Sequence, residues 1–482
     1  MQKKDLRQLN EWLWEISPER DERMRVPARI YSSAEMLEDI LEDDSGEQLI
    51  QGAMMPGIES PALVMPDCHQ GYSVPIGFVG ATRIEDGVIS PGACGFDINC
   101  GMRLLASSRK YQDISGYLER LTQKIGEKVP SGLGKGRVEG KRFTSSEIDN
   151  ILALGASYVI DSGFGEKEDA DRCEEQGKMD NADPGAVSKQ AKKRGKDQVG
   201  TLGSGNHFLE IQKVEEIFDE QTASVFGLEK DQVTVMIHCG SRGLGHQVCS
   251  DYLDSLASAQ KSYGVKMPSK DFVGVPFQSE EGREYFNAMA AAANYAWANR
   301  QMIAHFVREV WGKVLEGKGD SLKTVYDVAH NIIKQEKYEI NGRTRELAVH
   351  RKGATRAFPA GSSEIPEDYK QTGQPVLIPG SMGTYSYVLA GEKTGIQSFY
   401  SASHGAGRVM SRRQARKKFR GEEEEKKLND KGILLSSGSK RGIAEEAPGV
   451  YKNIDNVIDV VEKAGLSRKV AKLKPVAVIK GE

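Results

Sequence analysis

Apolar residues fall into two rhythms along the chain, one near every third or fourth position and one in short unbroken runs. In "TSSEIDNILALGASYVI", Thr144 stands three residues before Glu147, the spacing of a reciprocal helix cap, and apolar residues follow at helical intervals. The stretch "EYFNAMAAAANYAWANRQMIAHFVREVWGKVL" is small or apolar on nearly every side, which predicts one long, Ala-rich, largely buried helix. The runs "QVTVMIHCG", "KTVYDVAH" and "RELAVHR" predict short strands, and Asn341-Gly342 predicts a hairpin turn. "PVLIPG" and "PVAVIKG" read as further buried strands. Segment 166–197 is charged and only weakly periodic, so it is expected as an exposed surface excursion. The sum is an α/β protein of mixed α+β type with sizeable sheets. No internal repeat and no Pro- or Gly/Ser-rich linker interrupts it, so one large domain is expected over 1–482, with central sheets lining a composite cleft.

Glycine changes that picture by where it collects. The 52 glycines concentrate in "GTLGSGNHF", "HCGSRGLGH", "PGSMG" and "SHGAGR". Glycine serves where backbone must turn with positive φ or approach a neighbour closely. Such loops in distant parts of one chain predict a single pocket assembled from all of them.

Charge and cysteine narrow the class. Lys and Arg number 66 against 69 Asp and Glu, a net charge of −3, which excludes a histone-like binder and leaves nucleic-acid contacts to local clusters. No apolar run reaches the ~18 residues that suggest a membrane span. The N-terminus "MQKKDLRQLNEWLWEI" lacks the pattern of a secretory signal. Six cysteines in so long a chain are too sparse for a disulfide scaffold and read as reduced thiols, buried or ligating. A cytoplasmic protein is the expectation.

Candidate chemistry begins at "GFDINCG", where Asp97 and Cys100 sit three residues apart between glycines. His207 lies in a glycine loop, while His238 and His330 end apolar strands. Imidazoles at strand ends, with a carboxylate and a thiol, suit a first-row transition metal, and one thiolate can bridge two ions. The plainer reading of each residue alone is a hydrogen-bonded core histidine or a buried thiol. Softness of the donors favours zinc over manganese. His305 reads as a packing or surface residue of the long helix, and His246 and His350 stay open. His69, beside Asp67 in "MPDCHQGY", reads equally well as part of a plain turn. In "SASHGAGRVMSR", backbone amides of 405–407 and Arg408 can hold a phosphate beside His404, whose neutral imidazole can attack phosphorus. "KQAKKRGK" reads as a solvated run, whereas "HRKGATR" packs cations tightly enough to hold polynucleotide phosphate.

These loops, in this order, resemble the RNA-splicing ligase RtcB family. The resemblance runs from "RVPARIYSS" through "MPDCHQGY", "GVISPGACGFDINCGMRLL", "GTLGSGNHFLEIQ", "VMIHCGSRGLGHQV", "AMAAAANYAWANRQ", "YDVAHN", "VHRKGATRAF", "IPGSMGTYSYVL", "HGAGRVMSR" and "EEAPGVYKNIDNV" to "IKG", nearly the whole chain. It implies a single-domain fold peculiar to that family. The implied activity joins RNA 2′,3′-cyclic phosphate or 3′-phosphate ends to 5′-hydroxyl ends with GTP and Mn²⁺. It implies that Cys100 bridges two manganese ions, Asp97 and His207 completing one and His238 and His330 the other. His404 would carry GMP. Asn206, Phe208, Leu209, His330, Asn331, Pro379, Gly380, Ser381, Met382, Gly405, Ala406 and Gly407 would border GTP, with Glu210, Ser386 and Lys480 on the guanine. Arg194, Lys352 and Arg408 would bind RNA or triphosphate oxygens. The family's manganese overrides the preference for zinc, which is then expected to bind tightly and inhibit. The resemblance also implies an RNA substrate, tRNA halves or broken ends, and an archease-type activating partner; a monomer is the default. Gln70 and Ser73 depart from the family's usual residues, which puts the turn near Asp67 in doubt. Two rival readings remain: a dinuclear metal-dependent phosphoesterase acting on RNA ends, which has no use for His404, and a non-catalytic RNA-binding protein.

Overall fold

Two large β-sheets organise the computed structural model, which describes residues 1–131, 143–316 and 321–481. The first has seven strands in the order Arg7–Asn10, Leu13–Ile16, Ala28–Tyr31, Ala62–His69, Ile76–Arg83, Arg343–Lys352 and Asn331–Ile340. The second has eight. Its main path runs Lys323–Ala329, Gly101–Lys110, Gln232–Cys239, Phe208–Ile217, Ser467–Lys480, Ser386–Gly391 and Pro375–Ile378, with Leu434–Ser437 paired to the C-terminal strand off that path. The fold is mixed α/β, as the alternation of apolar runs and helical periodicity predicts.

Register in the second sheet fixes where chemistry can occur. Gly101 pairs with both Cys239 and Ala329, and His238 pairs with both Met102 and Phe208. Lys480 pairs with Phe208 on the next strand. Antiparallel pairing therefore brings Cys100, His207, His238, His330 and Lys480, all at strand ends, to one edge of one sheet. Residues more than 370 positions apart meet because the strands that end in them are neighbours.

Behind that edge runs the long helix Glu280–Val314, capped by Ser279, whose hydroxyl accepts from the Gly282 amide. Its Ala288 to Ala293 stretch is fully buried. Alanine loses no side-chain entropy there and lets helices and strands approach closely. The neighbours are the helices Leu118–Lys128, Ser145–Leu154 and Arg242–Ser262 and the strand ending in His238 and Cys239. Both halves of the Thr144/Glu147 cap are present. The helix it starts ends at Gly155, with φ at +60°, and a second helix covers Ala156–Asp161. At the hairpin, Asn341 and Gly342 both take positive φ, 52° and 73°, and Ile340 pairs with Arg343.

Two expectations are corrected. Segment 166–197 is exposed only in places such as Lys189, Lys193 and Arg194; Asp169, Cys173 and Glu174 are buried. The Asp169 carboxylate accepts two Arg308 N–H groups at 2.6 Å and one from Gln301 at 2.8 Å, so partners on the long helix draw an acidic run inward. The Asp67/His69 stretch is not a turn but the end of the strand Ala62–His69.

Candidate active site

The loop of residues 97–100 is stitched to the end of the neighbouring strand. The Asn99 amide donates to Asn331 O at 2.7 Å, the His330 amide to Cys100 O at 2.8 Å, and Asn331 Nδ2 to Asp97 O at 3.1 Å. Around this stitched loop the expected ligands converge. Cys100 Sγ lies 3.3 Å from His207 Nε2 and 3.2 Å from His238 Nε2. His207 Nε2 also faces Asp97 Oδ2 at 2.8 Å, and His238 Nε2 faces His330 Nε2 at 3.4 Å. His207 and His238 turn Nε2 toward the thiol, and His330 turns Nε2 toward His238. Glycine makes this approach possible: a Cβ on Gly203 would stand 1.9 Å from His207 Nδ1, and one on Gly240 2.4 Å from Asp97 Oδ1.

The electrostatics suit a cation. Burial, then the charges of neighbouring histidines, holds His238 and His330 well below the ordinary histidine range, so their nitrogens keep lone pairs. Burial opposes the charge on Asp97, yet His207 beside it keeps the carboxyl below its usual value. Burial and then the Asp97 carboxylate push the Cys100 thiol up to about 12, so a proton stays on sulfur unless a cation displaces it. The Nδ1 of His330 is buried without a hydrogen-bond partner. Cys100, His207 and His238 form a cluster of donors within 4.8 Å of one another. Nitrogen, thiol and carboxylate donors in one buried group fit one or two divalent ions.

A guanidinium from the long helix holds this arrangement from behind. Arg300 is fully buried and donates to Asn99 O and Cys239 O at 2.8 Å each, to Asn99 Oδ1 at 2.9 Å and to the Asp327 carboxylate. Its neighbour Asn299 donates to Thr201 O and Gly240 O and accepts from the Gly200 and Thr201 amides. Together they tie down all the segments that carry the ligands.

His404 stands next to the cluster, its ring centroid 5.0 Å from that of His330. It follows the strand Ser401–Ser403, which pairs with Ala354–Arg356, while Gly353 and Ala354 donate their amides to His330 O. Asp67 Oδ2 lies 2.6 Å from His404 Nδ1 and accepts from the His404 and Gly405 amides. With Nδ1 facing a buried carboxylate, Nε2 is the nitrogen free to act. His404 opens into a pocket lined by Asn206, Phe208, His238, Pro379–Met382, Gly405–Arg408, Arg412, Glu446, Tyr451 and Lys480.

A search of protein families matches the description "tRNA-splicing ligase RtcB" over residues 48–481. Proteins of that name from Thermococcus kodakarensis and Archaeoglobus fulgidus are each 50% identical to this chain over 480 residues, covering 99% of both chains in each case. One from Aeropyrum pernix is 46% identical over 480 residues, 98% of this chain and 99% of its own.

The chain belongs to the RtcB family.

Of the residues the RtcB resemblance assigns to nucleotide, Asn206, Phe208, the 379–382 loop, 404–407 and Lys480 line the pocket. Lys480 Nζ donates to Gly205 O at 2.7 Å. Glu210 and Ser386 lie beneath it, both bonded by Gln212 Nε2, and burial raises the Glu210 carboxyl to about 8. Leu209 is buried in the sheet and Asn331 braces the 97–100 loop. Arg408 borders the pocket but is engaged by Glu446 at 3.1 Å and by Tyr451. Lys352 is not placed to meet RNA: it is 3% exposed and its Nζ donates to Tyr72 O, Val74 O and Gly92 O. Arg194 is exposed, outside the pocket lining, and bonded to Gln247 at 2.9 Å. Sequence reasoning passed over Asp67, Asn299, Arg300 and Arg242, whose guanidinium lies against Gly203. All four stand inside motifs that carry the resemblance, yet residue type gave none of them a role, because each acts through partners far along the chain.

Proposed function

We propose that this protein is an RNA ligase of the kind used in tRNA splicing, joining a 3′-phosphate or 2′,3′-cyclic phosphate end to a 5′-hydroxyl end through a GMP carried on His404. The observation that carries this reading is the His404 ring, whose Nδ1 faces buried Asp67 and which lines a pocket beside the Cys100 cluster.

The residues have separable tasks. Asp97, Cys100, His207, His238 and His330 are the residues that would hold Mn²⁺. Bound there, the ions would neutralise charge on phosphoryl oxygens during transfer. His404 Nε2 attacks the α-phosphorus of GTP, a bond to Nε2 forms and pyrophosphate leaves. Asp67 offsets the positive charge the ring then carries and keeps it from turning. A 2′,3′-cyclic phosphate end is first opened by water to a 3′-phosphate and a free 2′-hydroxyl; an oxygen of that 3′-phosphate then takes GMP from the ring, which returns to neutral imidazole. The 5′-hydroxyl attacks that activated end, a phosphodiester forms and GMP departs. The pocket's glycine backbone and Arg408 supply donors for phosphate, and Glu210, Ser386 and Lys480 supply polar groups for a guanine edge. An archease-type protein is the proposed activating partner.

Incubation with α-labelled GTP and Mn²⁺, followed by denaturing gel, tests the reading. A label on wild type that is acid-labile, stable to alkali and absent from His404→Ala supports it. A wild type that takes no label but hydrolyses RNA 3′-ends would favour the phosphoesterase.

A further inference from the structure

The short helix Arg412–Lys418, sequence RRQARKK, lies directly beside the pocket and is not explained by anything described so far. Its first residue, Arg412, lines the pocket, and its guanidinium lies against Gly205 on the loop that carries His207. Ala415 anchors the helix on Ala447 and Val450. That contact turns Arg413 and Lys417, one turn apart, out to solvent, and Arg420 just beyond the helix is exposed too.

The helix is poorly built for its own stability. Five of its seven residues are cations and none is acidic. Arg412/Arg416 and Arg413/Lys417 are like-charge pairs four apart, each mildly destabilising. Arg412 and Arg413 also stand at the end where the helix dipole opposes positive charge. Acids nearby are committed elsewhere: Glu445 to Arg416 and Arg441, Glu446 mainly to Arg408, Glu424 to Lys427 and Glu425 to Lys440. Arg413, Lys417 and Arg420 have no ion-pair partner among the described residues. Glu422 and Glu423 begin immediately after, so acidic charge bounds the patch on its C-terminal side.

We propose that the face formed by Arg413, Lys417 and Arg420 carries the phosphate backbone of the RNA strand leading into the His404 pocket. This rests on the RNA-ligase reading and adds a track outside the catalytic pocket. An extended polyanion is the occupant that relieves three unpaired, same-sign charges in a row. Phe419, the aromatic side chain among them, packs against the Ala415, Ala447 and Val450 cluster, so the contact is to phosphate and not to particular bases.

The test measures binding of a 5′-fluorescein single-stranded RNA of about 12 nucleotides with a 3′-phosphate, by anisotropy across a salt series. For Arg413→Ala/Lys417→Ala/Arg420→Ala, the expected result is binding at least ~10-fold weaker at low salt, with the slope of log Kd against log salt reduced by about 2. A 3′-phosphorylated dinucleotide, which ends inside the pocket, should bind wild type and variant alike. Lys189→Ala/Lys193→Ala, on the other basic run, is the control and should leave the RNA curve unmoved. Superimposable RNA curves for wild type and triple variant would overturn the proposal and leave this face to a protein partner or to solvent. GTP labelling of wild type reports separately on the ligase reading, so either can fail alone.

Discussion

The two walls of the active site are built on opposite plans. On the wall proposed to hold metal, Cys100, His207, His238 and His330 are at most 5% exposed and are held by a buried network from the long helix. On the nucleotide wall, His404 sits on a glycine loop, and Arg412 has a side chain 56% exposed. The first wall is fixed before any ligand arrives. The second keeps its cations on acids such as Glu446 that a phosphate must displace or share. Rigidity suits ions whose positions set charge neutralisation, while exchangeable partners suit substrates that must come and go.

If the walls are separable, their key residues should fail differently. Cys100→Ala is expected to abolish cation uptake, read with Co²⁺ by loss of the thiolate-to-metal absorption band, because it removes the atom shared by both halves of the cluster. His404→Ala should take up Co²⁺ as wild type does, yet accept no label from GTP. Loss of the band in His404→Ala would dissolve the distinction. The next largest effect is expected from Arg300→Met, which leaves the buried Asp327 carboxylate with Arg103 as its remaining guanidinium and removes the donor to Asn99 O and Cys239 O. It should cost about 3–5 kcal/mol in urea unfolding. Asp67→Asn belongs to the other wall. With the charge opposite Nδ1 removed, labelling of His404 should slow by about 10²–10⁴-fold while the Co²⁺ band persists.

The way each wall could be read from sequence differs as well. The convergence of Cys100, His238 and His330 was legible because each adjoins a strand-forming run, and antiparallel pairing of those runs brings their ends together. Thr144 with Glu147 and Asn341 with Gly342 were visible because those signals act within four residues. What stayed hidden depended on partners far along the chain. Asp169 looks like part of a solvated run until Arg308, 139 residues later, is brought to it. Lys352 looks like a phosphate binder until the carbonyls of Tyr72, Val74 and Gly92 take its protons. Asp67 looked like a turn residue because its role depends on His404, 337 residues away.

A pH series sharpens the contrast from outside the site. His350 is fully buried, with Nδ1 facing Gly80 O and Ala348 O and Nε2 accepting from the Ser90 amide, and burial holds it at about 4. The unfolded chain binds this proton near 6.5, so between those values the unfolded state carries more protons and stability falls as pH falls. The loss should total up to about 3 kcal/mol by pH 4, and His350→Gln should flatten that part of the curve.

The smallest expected effect tests how loosely the nucleotide wall holds its arginines. Glu446 lies 3.1 Å from Arg408 and 3.7 Å from Arg412 and lines the pocket, so a triphosphate entering there meets a carboxylate of its own sign. Glu446→Gln removes that repulsion and keeps a polar group against Tyr451, freeing both guanidiniums for phosphate. Glu446 is buried but Arg412 is more than half exposed, which screens the gain, so affinity for a non-hydrolysable GTP analogue should tighten only about 2- to 5-fold by calorimetry, and less at high salt. Weaker binding instead would mean that Glu446 aims the arginines at the nucleotide, and the second wall would then be as fixed as the first.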